Sequence, residues 1–194
     1  MKTIFVDVDT QIDFLYPAGA LYVPGAECLT GTIASLNQFA AKNGIPVLST
    51  VDAHTEDDPE FQTWPPHCVA GTVGQQKPAV TLAGKPVVVP NYGDLPATDG
   101  AQQILLEKQT VDCFTNLHLL ALLQRLGAER SVVYGVVTEI CVKNAIFGLL
   151  KIGLKVDLVT DAIRALNSSE AVVMMEDFQR AGGTLTTSSR ISGS

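Results

Sequence analysis

Cys141 closes the stretch Ser131 to Val142, SVVYGVVTEICV, in which a β-branched run gives way to helical spacing. Elsewhere the chain offers Asp9 after an apolar run, an Asp52-Ala53-His54 triplet, His67 within Trp64-Pro65-Pro66-His67-Cys68, and Lys108 after Gln103 to Leu106. Thiol, carboxylate and ammonium together are what acyl transfer from an amide requires. They supply a nucleophile, a proton acceptor that later donates, and a cation that steadies developing charge. Asp-x-His at a strand end puts both side chains on one face, because alternate residues point the same way. With His67 nearby, these are the ligand types that divalent metals recruit. A cysteine in the first turn of a helix meets unpaired N–H groups and the positive end of the helix dipole. The thiol of Cys141 is therefore expected to ionise more easily than a free one. Each residue also has a plain structural reading: cysteine as a small buried apolar group, aspartates as turn and cap residues, lysine as an exposed cation.

The elements that must position these groups follow from periodicity. Short apolar runs predict strands at Thr3 to Val8, Pro46 to Val51, Gln103 to Leu106, Ser131 to Val136, Lys155 to Thr160 and Thr184 to Thr187, with a β-arm at Val87 to Val89. Helical spacing predicts helices over Thr30 to Lys42, from Thr115 or Asn116 to Leu126, from Cys141 to a stop at Gly153, and from Ser169 to Ala181. His118 falls inside the second of these as a structural or exposed side chain. Strands alternating with helices predict an α/β fold: a doubly wound three-layer sandwich with a mostly parallel central sheet. Parallel strands deliver their C-terminal ends to one edge, so Asp9, Asp52 with His54, Lys108 and the Cys141 turn can share one crevice.

Composition narrows the partners. A chain of 194 residues with 46% hydrophobic and 17% charged residues is expected to form one domain with a real core, with a small lobe or flap around 71–100. A net charge of −7 with only 13 lysines and arginines argues against nucleic acid or an acidic membrane surface, and for a small-molecule ligand. The N-terminus, MKTIFVDVDTQIDF, carries carboxylates inside its apolar run, as neither a signal peptide nor a spanning helix does, so a cytoplasmic protein is expected. The four cysteines lack C-x-x-C spacing and are read as free thiols.

These residues carry a resemblance. Val8-Asp9-Thr10-Gln11-Ile12-Asp13-Phe14, Asp52-Ala53-His54, Trp64-Pro65-Pro66-His67-Cys68, Lys108 before Asp112-Cys113-Phe114, and Gly135-Val136-Val137-Thr138-Glu139-Ile140-Cys141-Val142 follow one another as in the isochorismatase-like cysteine hydrolases. Within that superfamily the chain is most similar to the nicotinamidases, also called pyrazinamidases. The resemblance implies a Cys141, Asp9, Lys108 triad, an oxyanion held by the backbone N–H groups of Val137 and Cys141, and a cis peptide between Val136 and Val137. It implies Phe14 and Trp64 against the substrate ring, and one divalent metal ion (zinc, manganese or iron) on Asp52, His54 and His67. The implied reaction is hydrolysis of nicotinamide to nicotinate and ammonia through a thioester, as in NAD salvage. By analogy the chain would form a dimer or tetramer.

One departure stands out. Many nicotinamidases carry a further histidine soon after D-x-H, where this chain has Asp57-Asp58-Pro59-Glu60. Glu60 is the candidate fourth ligand, with Asp57 or Asp58 as substitutes, and added carboxylate tilts the preference from zinc toward manganese or iron. Two other readings compete: a relative acting on another small amide, such as an N-carbamoyl or ureido compound, and a catalytically silent binding member of the fold. An isochorismatase proper is disfavoured, because vinyl-ether hydrolysis does not use the cysteine that this chain keeps.

Overall fold

The alternation of apolar strands and amphipathic helices builds a seven-stranded sheet in a computed structural model, described for residues 1–193. The strands are β1 (Thr3–Val8), β2 (Val47–Asp52), β3 (Val87–Val89), β4 (Gln103–Lys108), β5 (Arg130–Val136), β6 (Lys155–Arg164) and β7 (Thr184–Thr186). Their order across the sheet is β3-β4-β2-β1-β5-β6-β7, and every pairing is parallel. The helices are α1 (Ile12–Leu15), α2 (Thr30–Lys42), α3 (Leu119–Leu126), α4 (Lys143–Lys151), α5 (Ser168–Arg180) and α6 (Ser188–Ser192).

Strand alternation divides the core into two clusters. Ile4, Val6 and Val8 of β1 face α3, α4 and α5 through Leu122, Ile146 and Phe178. Phe5 of the same strand faces α2 through Ile33, Leu36 and Ala40, with Tyr134 and Val136 of β5 beside it. The result is the expected three-layer α/β sandwich. Stretch 71–100 contributes the edge strand β3, which pairs with β4. Among the described residues no helix is long and apolar enough to cross a membrane.

Several boundaries moved, each for a physical reason. Strand β4 runs two residues past Leu106, because its ladder with β2 continues through Asp52 and Lys108. Strand β6 extends to Arg164, pairing beyond an irregularity in register with the end of β5. Helix α3 starts at Leu119 rather than Thr115 or Asn116: residues Cys113–Thr115 form a 3₁₀ turn, and Asn116 Oδ1 accepts from His118 N at 2.8 Å. His118 is buried at the head of that helix. Helix α5 begins on Asn167, whose side chain accepts from the N–H groups of Ser169 and Glu170. The short helices α1 and α6 carry too few residues for periodicity to reveal them.

Gly135 is the tightest point of the scaffold. It holds φ +124°, and a Cβ there would stand 2.1 Å from the backbone oxygen of Val8. The backbones of β1 and β5 meet just before Asp9 and Val137, so a side chain at 135 would push the two apart. Gly135→Ala is expected to cost at least about 2 kcal/mol of stability, measured by chemical denaturation. A near-neutral result would show that the strands have room to shift.

Candidate active site

Sheet register explains why the polar strand ends meet. Asp52 and Lys108 are partners across the β2/β4 ladder, and Val8, immediately before Asp9, lies opposite Thr50 of β2 and Gly135 of β5. Asp9 leaves the strand with φ +50°, a left-handed conformation unusual for a side-chain-bearing residue and characteristic of functional turns. Its backbone N–H donates to Thr50 O at 3.1 Å, and its Oδ1 accepts from Thr50 Oγ1 at 2.6 Å. Lys108, fully buried, places Nζ 2.8 Å from Asp9 Oδ2 and in direct contact with Asp52 Oδ1.

One ammonium between two buried carboxylates cannot serve both equally. Burial works against the charged form of Asp52, yet Lys108, His54 and His67 outweigh it and hold that carboxyl well below the usual range. Burial raises the pKa of Asp9, and Asp52 adds to the rise against the opposing pull of Lys108. Paired carboxyls whose environments push them apart divide the labour: Asp52 stays anionic, and Asp9 keeps an affinity for a proton. Lys108 is disfavoured as a cation by burial, but Asp52 and Asp9 more than reverse this and keep it protonated.

Cys141 differs from the sequence expectation. It sits in a π-helical turn, Thr138–Val142, that runs directly into α4, and is not in the first turn of an α-helix. Burial raises its thiol pKa well above the ordinary value, and Asp9 and Asp52 add to this against Lys108. The resting group is therefore a neutral thiol, and its ionisation depends on transfer to a neighbouring base rather than on a helix dipole. The turn follows a cis peptide between Val136 and Val137, at the position the resemblance implied. Of the other cysteines, Cys28 is exposed and Cys68 and Cys113 are buried, all as free thiols.

The second cluster lies beside the first. An isolated bridge pairs His54 with Val69, and Ala70 N donates to His54 O at 2.9 Å, so the 66–70 loop runs along the end of β2. That brings the ring of His67 to 4.8 Å from the ring of His54. Donor atoms of Asp52, His54 and His67 all lie within 4.8 Å of one another. The tautomers suit a cation. His67 Nδ1 lies 2.8 Å from Pro65 O, an acceptor only, so Nδ1 carries the proton and Nε2 the lone pair. His54 Nδ1 lies 3.1 Å from Asp58 Oδ2, and neither of its buried ring nitrogens has a hydrogen-bond partner among the described residues. Asp52 Oδ2 faces both Nε2 atoms, at 3.8 and 3.5 Å. Two imidazole nitrogens, one of them an orphaned buried atom of His54, and a carboxylate fit a divalent metal, with the His67 ring oriented by Pro65 O and the Asp58 carboxylate beside His54 Nδ1.

That geometry revises the choice of further ligands. Asp58 stands behind His54, its Oδ2 3.1 Å from Nδ1 on the side away from Asp52 Oδ2, and is not part of the three-donor cluster. Glu60 lines the adjoining cavity but is not part of the three-donor cluster, and burial with the nearby Asp52 charge raises its pKa.

The cavity is walled by Phe14, Trp64, Val111, Val137, Ile140 and Leu166 among others, with Asp52, Glu60, His67 and Cys141 supplying its polar groups. Phe14 and Trp64, expected to flank a ring, both line it, whereas Asp9, Lys108 and His54 sit behind the wall.

Sequence reasoning missed several supporting residues. The side chain of Gln11 pairs with the backbone of Asp52, donating to its O at 2.8 Å and accepting from its N at 2.7 Å, and also donates to Gln75 O at 2.7 Å. Asp13 Oδ2 accepts from Cys68 N at 2.7 Å and pins the residue after His67, where φ is +45°. Phe61 packs its ring against His54 and His67 at 5.1 and 5.7 Å. The V-D-x-Q-x-D-F spacing flagged Gln11 and Asp13, but the partners that give them a role lie 41 and 55 residues away.

Comparison with known proteins places the arrangement. Over 197 residues the chain is 27% identical to the nicotinamidase/pyrazinamidase of Mycobacterium tuberculosis, covering 97% of this chain and 100% of that one. The crystal structure of the pyrazinamidase of Pyrococcus horikoshii in complex with zinc is similar with a TM-score of 0.80 at 24% identity, covering 96% and 99% of the two chains. The N-carbamoylsarcosine amidase of Thermoplasma acidophilum is similar with a TM-score of 0.78 at 25% identity, covering 97% of each. Residues 3–190 match the Isochorismatase domain, and the chain belongs to that family.

Proposed function

We propose that the chain is a metal-dependent cysteine amidase that hydrolyses nicotinamide to nicotinate and ammonia, a step that returns the pyridine ring to NAD synthesis. The observation that carries the substrate choice is the cavity wall. It joins two aromatic side chains to aliphatic ones, its charged groups Asp52 and Glu60 are acidic, and it has no lysine or arginine. A neutral heteroaromatic amide fits such a wall, while the carboxylate of an N-carbamoyl amino acid would find no lysine or arginine on it to pair with.

In this reading the thiol proton of Cys141 passes to Asp9 as sulfur attacks the amide carbon. Backbone N–H groups of Val137 and Cys141, both on the cavity wall, receive the oxyanion. Asp9 then gives its proton to the departing nitrogen, which leaves as ammonia, and the acyl group remains on sulfur as a thioester. Water attacks that thioester, Asp9 takes a proton from it, and nicotinate departs as the thiol is restored. Lys108 stays protonated throughout, holding Asp9 in place and offsetting its charge. Phe14 and Trp64 would hold the ring between their faces, a stacking contact that a pyrazine ring can make as well as a pyridine. Asp52, His54 and His67, with Glu60 as the candidate fourth donor, would hold one divalent zinc, manganese or iron ion, supplying a Lewis acid for a ring nitrogen and a water.

The competing substrate class is tested directly. Hydrolysis of nicotinamide is expected to exceed that of N-carbamoylsarcosine in kcat/KM by at least about 100-fold. A preference for the carbamoyl compound would overturn the nicotinamide reading while leaving the thiol chemistry intact.

A further inference from the structure

Glu139 lies two residues before Cys141 and points away from the reacting groups. Its Oε1 accepts from the backbone N–H of Leu166 at 2.9 Å and of Asn167 at 2.6 Å. Its Oε2 is buried with no hydrogen-bond partner among the described residues. Leu166 and Asn167 form the short loop between β6 and α5. Asn167 is in turn tied to the first turn of α5, accepting from Ser169 N and Glu170 N at 3.1 and 3.3 Å and donating to Glu170 Oε1 at 2.7 Å. Leu166 thus hangs between two anchors. Leu166 is 46% exposed yet lines the same cavity as Cys141. The two hydrogen bonds to Glu139 tie this loop directly to the turn that carries Cys141. Ile140, next to Glu139, forms part of the same wall.

We propose that Glu139 is a positioning residue that clamps the Leu166 loop to the Cys141 turn, setting the width of the cavity and so the size of the acyl group admitted. The substrate consequence rests on the nicotinamide reading; the clamp does not. Carboxylate acceptors make hydrogen bonds about twice as strong as neutral ones, so a glutamine in the same place keeps the geometry with a weaker hold. Opening the wall should relax discrimination by size while leaving the proton-transfer groups in place.

The test compares Glu139→Ala and Glu139→Gln with the parent, all in a Cys28→Ser background that removes the exposed thiol. Two readouts are needed. Amide hydrogen exchange at Leu166 and Asn167 should quicken by at least roughly tenfold in Glu139→Ala, with the interior of α5 unchanged and Glu139→Gln intermediate. The alkylation rate of Cys141 by N-phenylmaleimide relative to N-ethylmaleimide, read by peptide mass spectrometry, should rise at least roughly threefold in Glu139→Ala and revert toward the parent in Glu139→Gln. Unchanged exchange at the two amides, or loosening spread evenly over α5, would overturn the clamp. Faster exchange with an unchanged maleimide ratio would overturn its control of cavity width. Failure to turn over nicotinamide would sink the substrate reading alone, since neither readout uses that substrate.

Discussion

Replacing Cys141 with alanine is expected to reduce ammonia release from nicotinamide by at least about 10³-fold, with the fold and the metal site intact. The side chain lost is small, and Asp9, Lys108 and Asp52 keep their contacts with one another. Asp9→Asn is expected to cost a comparable factor for a different reason. Asparagine can keep the hydrogen bond from Thr50 Oγ1 but cannot take the thiol proton, and burial leaves a thiol at this position neutral until some base removes it. Groups that act as one unit are far from additive, so the double variant should be little worse than either single one. Additive losses would mean that thiol and carboxylate act in separate steps. A Cys141→Ala protein that still releases ammonia at a tenth of the parent rate would show that the thiol is not the nucleophile.

Removing the metal should have the next largest effect. Chelation is expected to lower turnover by at least about 100-fold, with recovery on adding back zinc, manganese or iron, and His67→Ala should lower metal affinity by at least a similar factor. His67 is the better test position because Asp52 also anchors Lys108; its loss would leave a buried cation with half its compensation. The pH dependence has a definite sign. Burial opposes the charged form of His54, but Asp52 and Asp58 outweigh it and raise its pKa above the ordinary value. Without metal the ring is therefore protonated more readily than a free imidazole, and coordination must displace that proton. Apparent metal affinity should weaken as pH falls and protons should be released on binding, both measurable by calorimetry in buffers of different ionisation enthalpy. Affinity independent of pH around neutrality would contradict the assignment of His54 as a ligand.

The layout of the sheet was legible because it rests on local patterning: most strands are short apolar runs, and α2, α3, α4 and α5 each show a buried stripe. Convergence of Asp9, Asp52, Lys108 and Cys141 followed from that layout, since parallel strands share one C-terminal edge. What was not legible depends on contacts between distant segments. Sequence offers Asp57 or Asp58 as substitutes for Glu60, and only the fold shows that Asp58 lies beside His54 Nδ1. Gln11 and Asp13 act on backbone groups of other loops, and no periodicity encodes such partners. The expected ease of ionisation of Cys141 rests on helix position, whereas the fold buries it in a π-helical turn, and burial, which sequence does not display, raises its thiol pKa. Glu139 had no role in the sequence reading, as its partners belong to a loop 27 and 28 residues further on.

The measurement that bears most directly on the thiol mechanism is partition of the acyl group between water and added hydroxylamine. Metal-loaded protein turning over nicotinamide should yield nicotinohydroxamate at the expense of nicotinate, with ammonia release undiminished and Cys141→Ala yielding neither product. Nicotinate and ammonia formed one for one at every hydroxylamine concentration, with no hydroxamate, would show water attacking the amide directly and would contradict a thioester on Cys141.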